Sequence, residues 1–274
     1  MAIDSASVLF VTLDSCRYDT FEGAQLSAMR DVGQFYRAQA PSYFTFGSHA
    51  AMFAGFTPGM AAMAAPLVNP KFGKIFKLTG AAHPGKGGEG FTLEGRNIVD
   101  GFKRQGYKTI GSGAVAWFDP NTAAAQLLIS EFDEFFYPGN SWSLDRQLAW
   151  VDQKLEQHAA SPIFLFVNIG ETHVPYYHEG APWDVADSPC VPFQTADRSA
   201  ECRHRQRACL EFVDRQIGPL LARFSSSTIV LCGDHGDCWG EDGLWEHGIS
   251  HPMTLTVPLL IRLRGRAVGV GNSP

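Results

Sequence analysis

The sequence predicts an α/β fold in which a mostly parallel central sheet is sandwiched by helices. Short apolar, β-branched runs, such as 7–13 and 163–169, alternate with segments of helical period, such as 143–158. This alternation is typical of parallel strands joined by crossover helices. The chain has 274 residues, of which 45% are hydrophobic. That is enough for a substantial core, and we expect one domain spanning 1–274.

The individual elements follow from local patterns along the chain. The first strand is predicted over 7–13, and a small-residue, apolar helix around 50–53 is expected to stop near Gly55. Residues 69–90 carry many glycines, lysines and prolines, which indicates a long exposed loop. The later predicted elements are a helix over 97–105, a strand over 107–111, a helix over 143–158, a strand over 163–169, a surface excursion over 181–205, a helix over 207–223, and strands over 228–232 and 259–263.

Composition narrows the classes of partner. A net charge of −6 argues against a nucleic-acid partner, because such binding relies on clustered lysine and arginine. No run approaches the roughly 20 apolar residues that span a bilayer, and the start lacks an export signal. Six cysteines without a Cys-x-x-Cys pair indicate reduced thiols. We therefore expect a cytoplasmic protein without a membrane partner.

Polar residues follow several predicted strands or open the apolar helix. Ligands of parallel sheets bind outside the carboxyl ends of the strands. The residues at these places are Asp14, Thr45, Ser48, His49, Glu171, His173, Asp234, His235 and Asp237. Each alone is more simply explained as a helix cap or turn former. Together, carboxylates and imidazoles are the ligands that Zn²⁺, Mn²⁺ or Mg²⁺ take, so the set indicates a metal site.

The adjacent pair Asp234 and His235 is the sharpest element of this set. Adjacent residues of a strand point to opposite faces, so both reach one ion only where the strand breaks into a turn. Gly233 and Gly236, on either side, permit such a break.

Four stretches of the chain resemble a known family. Residues 45–58 (TFGSHAAMFAGFTP) resemble the sulfatase signature Cys-x-Pro-Ser-Arg with its following apolar helix and Thr-Gly-x-x-Pro. Residues 8–19 (VLFVTLDSCRYD) resemble the family's first strand and metal aspartate, and 97–113 resemble its helix, Gly-Tyr turn and second strand. Residues 232–262 (CGDHGDCWGEDGLWEHGISHPMTLTVPLLIR) are similar to its Asp-His-Gly segment and Val-Pro-Leu-Ile-x-Arg strand. The chain is thus identified as a member of the alkaline phosphatase/sulfatase superfamily.

The resemblance implies a metal-dependent enzyme with Thr45 as the nucleophile. It implies one or two divalent ions, zinc or manganese, with these ligands for the catalytic one: Asp14, Thr45, Asp234 and His235. His173 and His247 match family positions that contact the leaving oxygen or bind a second metal. Glu171 and His178 are further candidate ligands, although a surface-loop role explains them nearly as well.

Departures from the sulfatase pattern point to phosphorus chemistry. Sulfatases convert a Cys or Ser to formylglycine, and Thr45 would yield a ketone instead. His49 stands in place of the family's arginine, Ser15 in place of its second aspartate and Ala114 in place of its lysine. An unmodified Thr is similar to the nucleophile of nucleotide pyrophosphatase/phosphodiesterases and phosphoethanolamine transferases. We therefore expect hydrolysis of a small anionic phosphodiester, phosphomonoester or phosphonate ester.

Two alternatives stay open: a sulfatase-like enzyme or phosphoryl-group transferase of the same fold, and a non-catalytic, metal-binding descendant. The chain stops soon after its last predicted strand, so the family's usual C-terminal subdomain is expected to be lacking. We expect an open site, or one completed by a second subunit of a homo-oligomer.

Overall fold

A central eight-stranded sheet organises the protein. The computed structural model describes residues 3–55, 76–79, 90–93 and 96–268. The strands are β1 (Val8–Leu13), β2 (Phe35–Gln39), β3 (Phe76–Thr79), β4 (Gly90–Leu93), β5 (Lys108–Gly113), β6 (Glu134–Phe136), β7 (Ile163–Ile169), β8 (Thr228–Gly233), β9 (Cys238–Trp239), β10 (Trp245–Glu246), β11 (Thr256–Leu263) and β12 (Arg266–Ala267). The sheet order is β12-β11-β8-β1-β7-β5-β6, with β2 also paired to β11.

Five neighbouring strands, from β8 to β6, run parallel. At one side β11 runs antiparallel to β8, and β2 and β12 pair antiparallel with β11. The pairs β3–β4 and β9–β10 form separate two-stranded ribbons. The predicted mostly parallel sheet is confirmed.

Helices cover both faces of this sheet. In chain order they are α1 (Tyr18–Gly23), α2 (Thr45–Ala54), α3 (Ile98–Arg104), α4 (Ala123–Ile129), α5 (Leu144–Gln157), α6 (Ser199–Arg223) and α7 (Pro252–Leu255). Helix α2 ends at Gly55, whose φ of 67° closes the last turn in the left-handed region that glycine favours. The predicted helix end near Gly55 is thus confirmed.

Alternation along the strands divides the core into two layers. Leu9, Val11 and Leu13 of β1 lie in a cluster with apolar residues of α5 and α6. Phe10 lies in the opposite layer, among residues of α2, α3 and α4. This second layer is unusually aromatic, and Phe10 and Phe166 meet edge to face with ring centroids 5.7 Å apart. The sheet is therefore covered on both sides, as its apolar strands require.

Two predicted segments need correction. Residues 76–79 form a strand and Gly90 begins β4, so the expected loop over 69–90 is wrong there, and its other residues lie outside the described ranges. The expected excursion over 181–205 ends earlier, because α6 begins at Ser199. Charged side chains mask the helical period at its start: Arg205 is buried and donates to Asp187 of the preceding loop.

The structure bears on the expectations about the cysteines and about membrane-spanning segments. All six cysteines are buried and unpaired. In the described part of the chain, no helix combines the length and apolar character needed to cross a membrane.

Candidate metal and catalytic site

The register of three central strands brings the predicted carboxylates together. Leu13 at the end of β1 lies between Ile169 of β7 and Gly233 of β8. Asp14 and Asp234 follow directly on neighbouring strands, and both side chains are completely buried. The sequence prediction that these strand ends converge is therefore in agreement with the geometry.

Thr45 opens helix α2 beside this pair. Its Oγ1 lies 3.4 Å from both carboxylate oxygens of Asp14 and 3.2 Å from Nε2 of His235. One turn into the helix, Ser48 Oγ donates to the backbone carbonyl of Asp234 at 2.6 Å. This contact fixes the start of α2 against the β8 end, so the hydroxyl of Thr45 faces the buried acids.

Asp14, Asp234 and His235 have the donor set and spacing of a metal site. Their nearest ligand atoms all lie within 4.8 Å of one another. Among the described residues, Oδ2 of Asp234 has no hydrogen-bond partner although it is buried. Burial and the nearby Asp14 carboxylate raise the pKa of Asp234 well above its usual range. A divalent cation would balance the charge of both carboxylates and give Oδ2 of Asp234 a partner. These residues therefore fit a metal with oxygen and nitrogen ligands.

His235 presents a free lone pair to this cluster. Its Nδ1 lies 3.0 Å from the carbonyl of Gly236, which can only accept, so Nδ1 carries the proton. Burial lowers the pKa of His235 to about 4, against the opposing effect of Asp14. The ring is neutral at physiological pH, with Nε2 available as a ligand or acceptor.

Gly233 and Gly236 act differently from the prediction. Neither has a positive φ. A Cβ at Gly233 would lie 2.8 Å from the carbonyl oxygen of Cys16, and one at Gly236 would collide with the carbonyl of Met253. The two glycines are therefore needed for close packing of the Asp234–His235 turn.

His49, which stands at the family's arginine position, is a structural residue. Nδ1 donates to the carbonyl of Thr45 at 2.8 Å, and Nε2 is 2.9 Å from Oγ1 of Thr12. Burial lowers the pKa of His49, so the ring is neutral. Both nitrogens serve the fold, and the side chain braces the first turn of α2.

His247 has the opposite electrostatic setting. Nδ1 lies 2.7 Å from Oδ1 of Asp237, whose Oδ2 accepts from the hydroxyl of Tyr176 at 2.7 Å. Burial alone would lower the pKa of His247, but the Asp237 carboxylate outweighs it and raises the pKa to about 9. The imidazolium ring lies 4.6 Å from that of His235, centroid to centroid. His247 is thus a protonated group at the edge of the donor cluster.

His235, Asp237 and His247 also lie within 4.8 Å of one another. Both oxygens of Asp237 are already hydrogen-bonded, and Trp239 Nε1 donates to the Tyr176 hydroxyl at 2.8 Å. In this structure Asp237 therefore orients His247.

The remaining predicted residues separate into two groups. The His173 ring lies 5.1 Å from that of His247, and its Nδ1 is 2.8 Å from the carbonyl of Val174. Glu171 accepts from the backbone N–H of Leu144 at the start of α5 and belongs to neither donor group found in the described residues. His178 stacks on Phe212, centroids 4.3 Å apart. Of these three, only His173 borders the site.

Asn168 is a site residue that the sequence analysis missed. Its Nδ2 donates to Oδ2 of Asp14 at 3.1 Å and to Oγ1 of Thr12 at 3.2 Å. It thereby fixes the carboxylate that faces Thr45. A signal was available, since Asn168 is the one polar residue of the otherwise apolar strand β7.

The fold and this donor cluster define a protein of the alkaline phosphatase superfamily, whose members act on phosphate or sulfate esters and bind divalent metals such as zinc. The chain belongs to the Sulfatase family, whose model matches residues 8–269. No curated protein matches the sequence.

Solved structures show the same fold at low sequence identity. The C-terminal periplasmic domain of phosphoethanolamine transferase EptC from Campylobacter jejuni is 12% identical with a TM-score of 0.60, over 96% of this chain and 80% of that one. The corresponding EptC domain from Escherichia coli, solved in complex with zinc, is 14% identical with a TM-score of 0.60, over 96% and 75%. Phosphonate monoester hydrolase of Agrobacterium radiobacter is 14% identical with a TM-score of 0.55, over 96% and 70%.

Proposed function

We propose that the protein is a metal-dependent hydrolase of a phosphate-family ester, a phosphodiester, phosphomonoester or phosphonate ester, with Thr45 as the nucleophile. The observation that carries the proposal is the position of Thr45 Oγ1, 3.2 Å from Nε2 of His235 and 3.4 Å from the Asp14 carboxylate. A hydroxyl held between two buried groups that can accept its proton suits nucleophilic attack.

Asp14, Thr45, Asp234 and His235 would hold the cation, zinc or manganese. When bound, a divalent cation makes a neighbouring hydroxyl more acidic and offsets negative charge that develops on the ester oxygens. The protein's own part is to orient the donors. Asn168 fixes the Asp14 carboxylate, and the backbone N–H groups of Ser15 and His235 hold Oδ1 of Asp234 at 3.1 and 2.8 Å. Oδ2 of Asp234 is thereby left free to face the site.

His247 supplies the proton for the departing alcohol. Its Nδ1 is committed to Asp237, so the other ring nitrogen of the imidazolium carries a second donor. His173, whose ring lies 5.1 Å from that of His247, would contact the same oxygen. Thr45 loses its hydroxyl proton to solvent and attacks phosphorus, which forms a phosphothreonine ester as the alcohol leaves with the proton from His247. Water then cleaves that ester, which restores the Thr45 hydroxyl, and His247 takes up a proton again. Tyr176 and Trp239 keep Asp237, and through it His247, in one orientation.

Phosphorus rather than sulfur is favoured by the residues around Thr45. A threonine cannot become formylglycine, and His49 is neutral and fully engaged where the family has an arginine. Ala114, in the place of the family's lysine, is buried. The replacements at His49 and Ala114 each remove a cationic contact from a sulfate group.

The test is turnover of a 4-nitrophenyl panel comprising phosphate monoester, phosphate diester, phosphonate and sulfate, with zinc or manganese added and bound metal measured. Wild-type protein should cleave a phosphorus ester, and Thr45→Ala should lose turnover while retaining most of its metal, because three ligands remain. Thr45→Ser keeps a hydroxyl and should retain part of the activity. Ser42→Ala, which removes a hydroxyl from the same loop, is the matched control and should be unaffected.

Trapping of the intermediate gives an independent readout. Acid-quenched wild-type protein should carry one phosphoryl group on the peptide containing Thr45. Full activity of Thr45→Ala would refute the nucleophile assignment. Transfer of the group to an added alcohol in preference to water would indicate a transferase, the activity of the EptC relatives. Metal-loaded protein that cleaves no ester would indicate a non-catalytic descendant.

A further inference from the structure

Four aromatic side chains form a continuous wall beside Thr45. This aromatic wall consists of Tyr43, Phe44, Phe46 and Trp117. The Trp117 ring lies 5.5 Å from that of Phe46 and 6.3 Å from that of Phe44, centroid to centroid, and Phe44 lies 5.8 Å from Tyr43. Trp117 keeps 41% of its surface exposed and Tyr43 keeps 36%. The rings therefore support one another while leaving apolar surface open to a ligand.

The wall is attached to the catalytic elements. Phe44 and Phe46 are the chain neighbours of Thr45. The Tyr43 carbonyl accepts from the backbone N–H of Gly248 at 2.9 Å, which ties the wall to the segment that carries His247. The wall therefore borders the place where an ester would meet Thr45.

Trp117, at the other end of the wall, is held in place by its buried neighbour Phe118. Trp117 belongs to a short 3-10 turn after β5, at the same end of the sheet as Asp14 and Asp234. Its neighbour Phe118 is buried against the ring of His49, centroids 5.1 Å apart, and His49 braces Thr45. The exposed indole therefore sits on a rigid base within the site, and its exposure is not that of a loose loop.

We propose that the natural substrate carries an aromatic ring close to the ester group and that this ring packs on the aromatic wall. The inference rests on the proposed function, since it assumes that the ester lies at Thr45. Aromatic rings pair favourably in stacked or edge-to-face geometry, and a rigid ring surface pays little conformational entropy on binding. Trp117 and Tyr43 offer such surface. An aliphatic substituent would gain only the burial of apolar area there, without the ring–ring interaction.

Two ligands that differ only at the wall test this without any turnover. Phenylphosphonate and methylphosphonate share one head group, and neither contains an ester to cleave. Their dissociation constants would be measured by calorimetry on zinc-supplemented protein. Wild type should bind phenylphosphonate about tenfold more tightly than methylphosphonate. Trp117→Ala should reduce that preference several-fold and leave methylphosphonate affinity unchanged, while Trp117→Phe should keep most of the preference.

Leu263→Ala is the matched control, because Leu263 is 52% exposed at the far end of β11, away from the carboxyl ends of the parallel strands. It should behave as wild type. Equal affinities of wild type for the two ligands, no binding of phenylphosphonate, or an unchanged preference in folded Trp117→Ala would each overturn the proposal. Failure of the proposed function looks different: the phenyl preference persists, but no ester of the nitrophenyl panel is cleaved.

Discussion

Glu171 is a buried acid whose ionisation should control the pH dependence of stability. The carboxyl is almost completely inaccessible, and Oε1 accepts from the backbone N–H of Leu144 at 2.8 Å. Within the described structure Oε2 has no partner. Burial raises the pKa of Glu171 from its ordinary 4.5 to about 8, although the hydrogen bond from Leu144 acts in the opposite direction.

The sign follows from proton counting. A carboxyl with a higher pKa in the folded state binds more protons when folded, so stability is lost as the pH rises from the unfolded pKa to the folded one. Each pKa unit corresponds to about 1.4 kcal/mol, which amounts to about 3.5 kcal/mol between about pH 5 and about pH 8. The amino end of α5 favours the anion by roughly 0.5 kcal/mol. The expected loss is therefore about 3 kcal/mol.

Glu171→Gln should remove this loss. Glutamine keeps the oxygen that accepts from Leu144, and its unpaired N–H takes the place of the unpaired O–H of the protonated acid. The variant should match wild type at about pH 5 and exceed its free energy of unfolding by about 3 kcal/mol at about pH 8.

The assay is urea unfolding of chelator-treated protein at both pH values. Glu156→Gln makes the same change at an exposed position of the same helix and is the matched control. Its stability relative to wild type should change far less with pH. A Glu171→Gln difference that moves by less than about 1 kcal/mol between the two pH values would refute the burial argument.

Two further predictions concern the site itself. Tyr176→Phe keeps the buried ring but removes the hydroxyl that holds Asp237, so kcat for a cleaved ester should fall about tenfold with a smaller change in KM; unchanged kcat would show that His247 needs no such support. Zinc added to chelator-treated protein should raise the unfolding temperature. At a thousandfold excess over Kd, binding adds about 4 kcal/mol to the free energy of unfolding. Thermal unfolding of Asp234→Ala should show little of this shift, whereas exposed Asp31→Ala should retain it; an equal shift in Asp234→Ala would exclude the proposed ligand.

The central site was predictable because it depends on strand ends. Asp14 and Asp234 each follow an apolar strand, and parallel pairing brings such residues to one edge whatever the rest of the chain does. The same logic failed for Glu171. The side chain of a residue that follows a strand can point in several directions. That of Glu171 points to the start of α5, where it accepts from a backbone N–H that has no partner within the helix.

Other features depend on contacts that no local pattern encodes. Tyr176 meets Asp237 across 61 residues of sequence. Tyr176 also adopts a φ of 55°, a left-handed conformation that a sequence reading assigns to glycine or asparagine. Strand β2 was missed because its burial is irregular and it pairs with β11, more than two hundred residues away. No local pattern predicted that Trp117 lies in the aromatic wall, because its position there depends on contacts with the distant Phe44 and Phe46 rings.

The two histidines at the centre of the site show how adjacent backbone positions set opposite chemistry. The rings of His235 and His247 are 4.6 Å apart, centroid to centroid, yet burial lowers one pKa to about 4 and a carboxylate raises the other to about 9. The difference lies in what each Nδ1 faces. For His235 it is the carbonyl of Gly236, and for His247 it is the side chain of Asp237, the next residue. A neutral carbonyl leaves a lone pair free at the far nitrogen, whereas a carboxylate retains a proton there. One short segment thus holds a neutral imidazole beside a protonated one, and the proposed metal-dependent ester cleavage with acid assistance would use both.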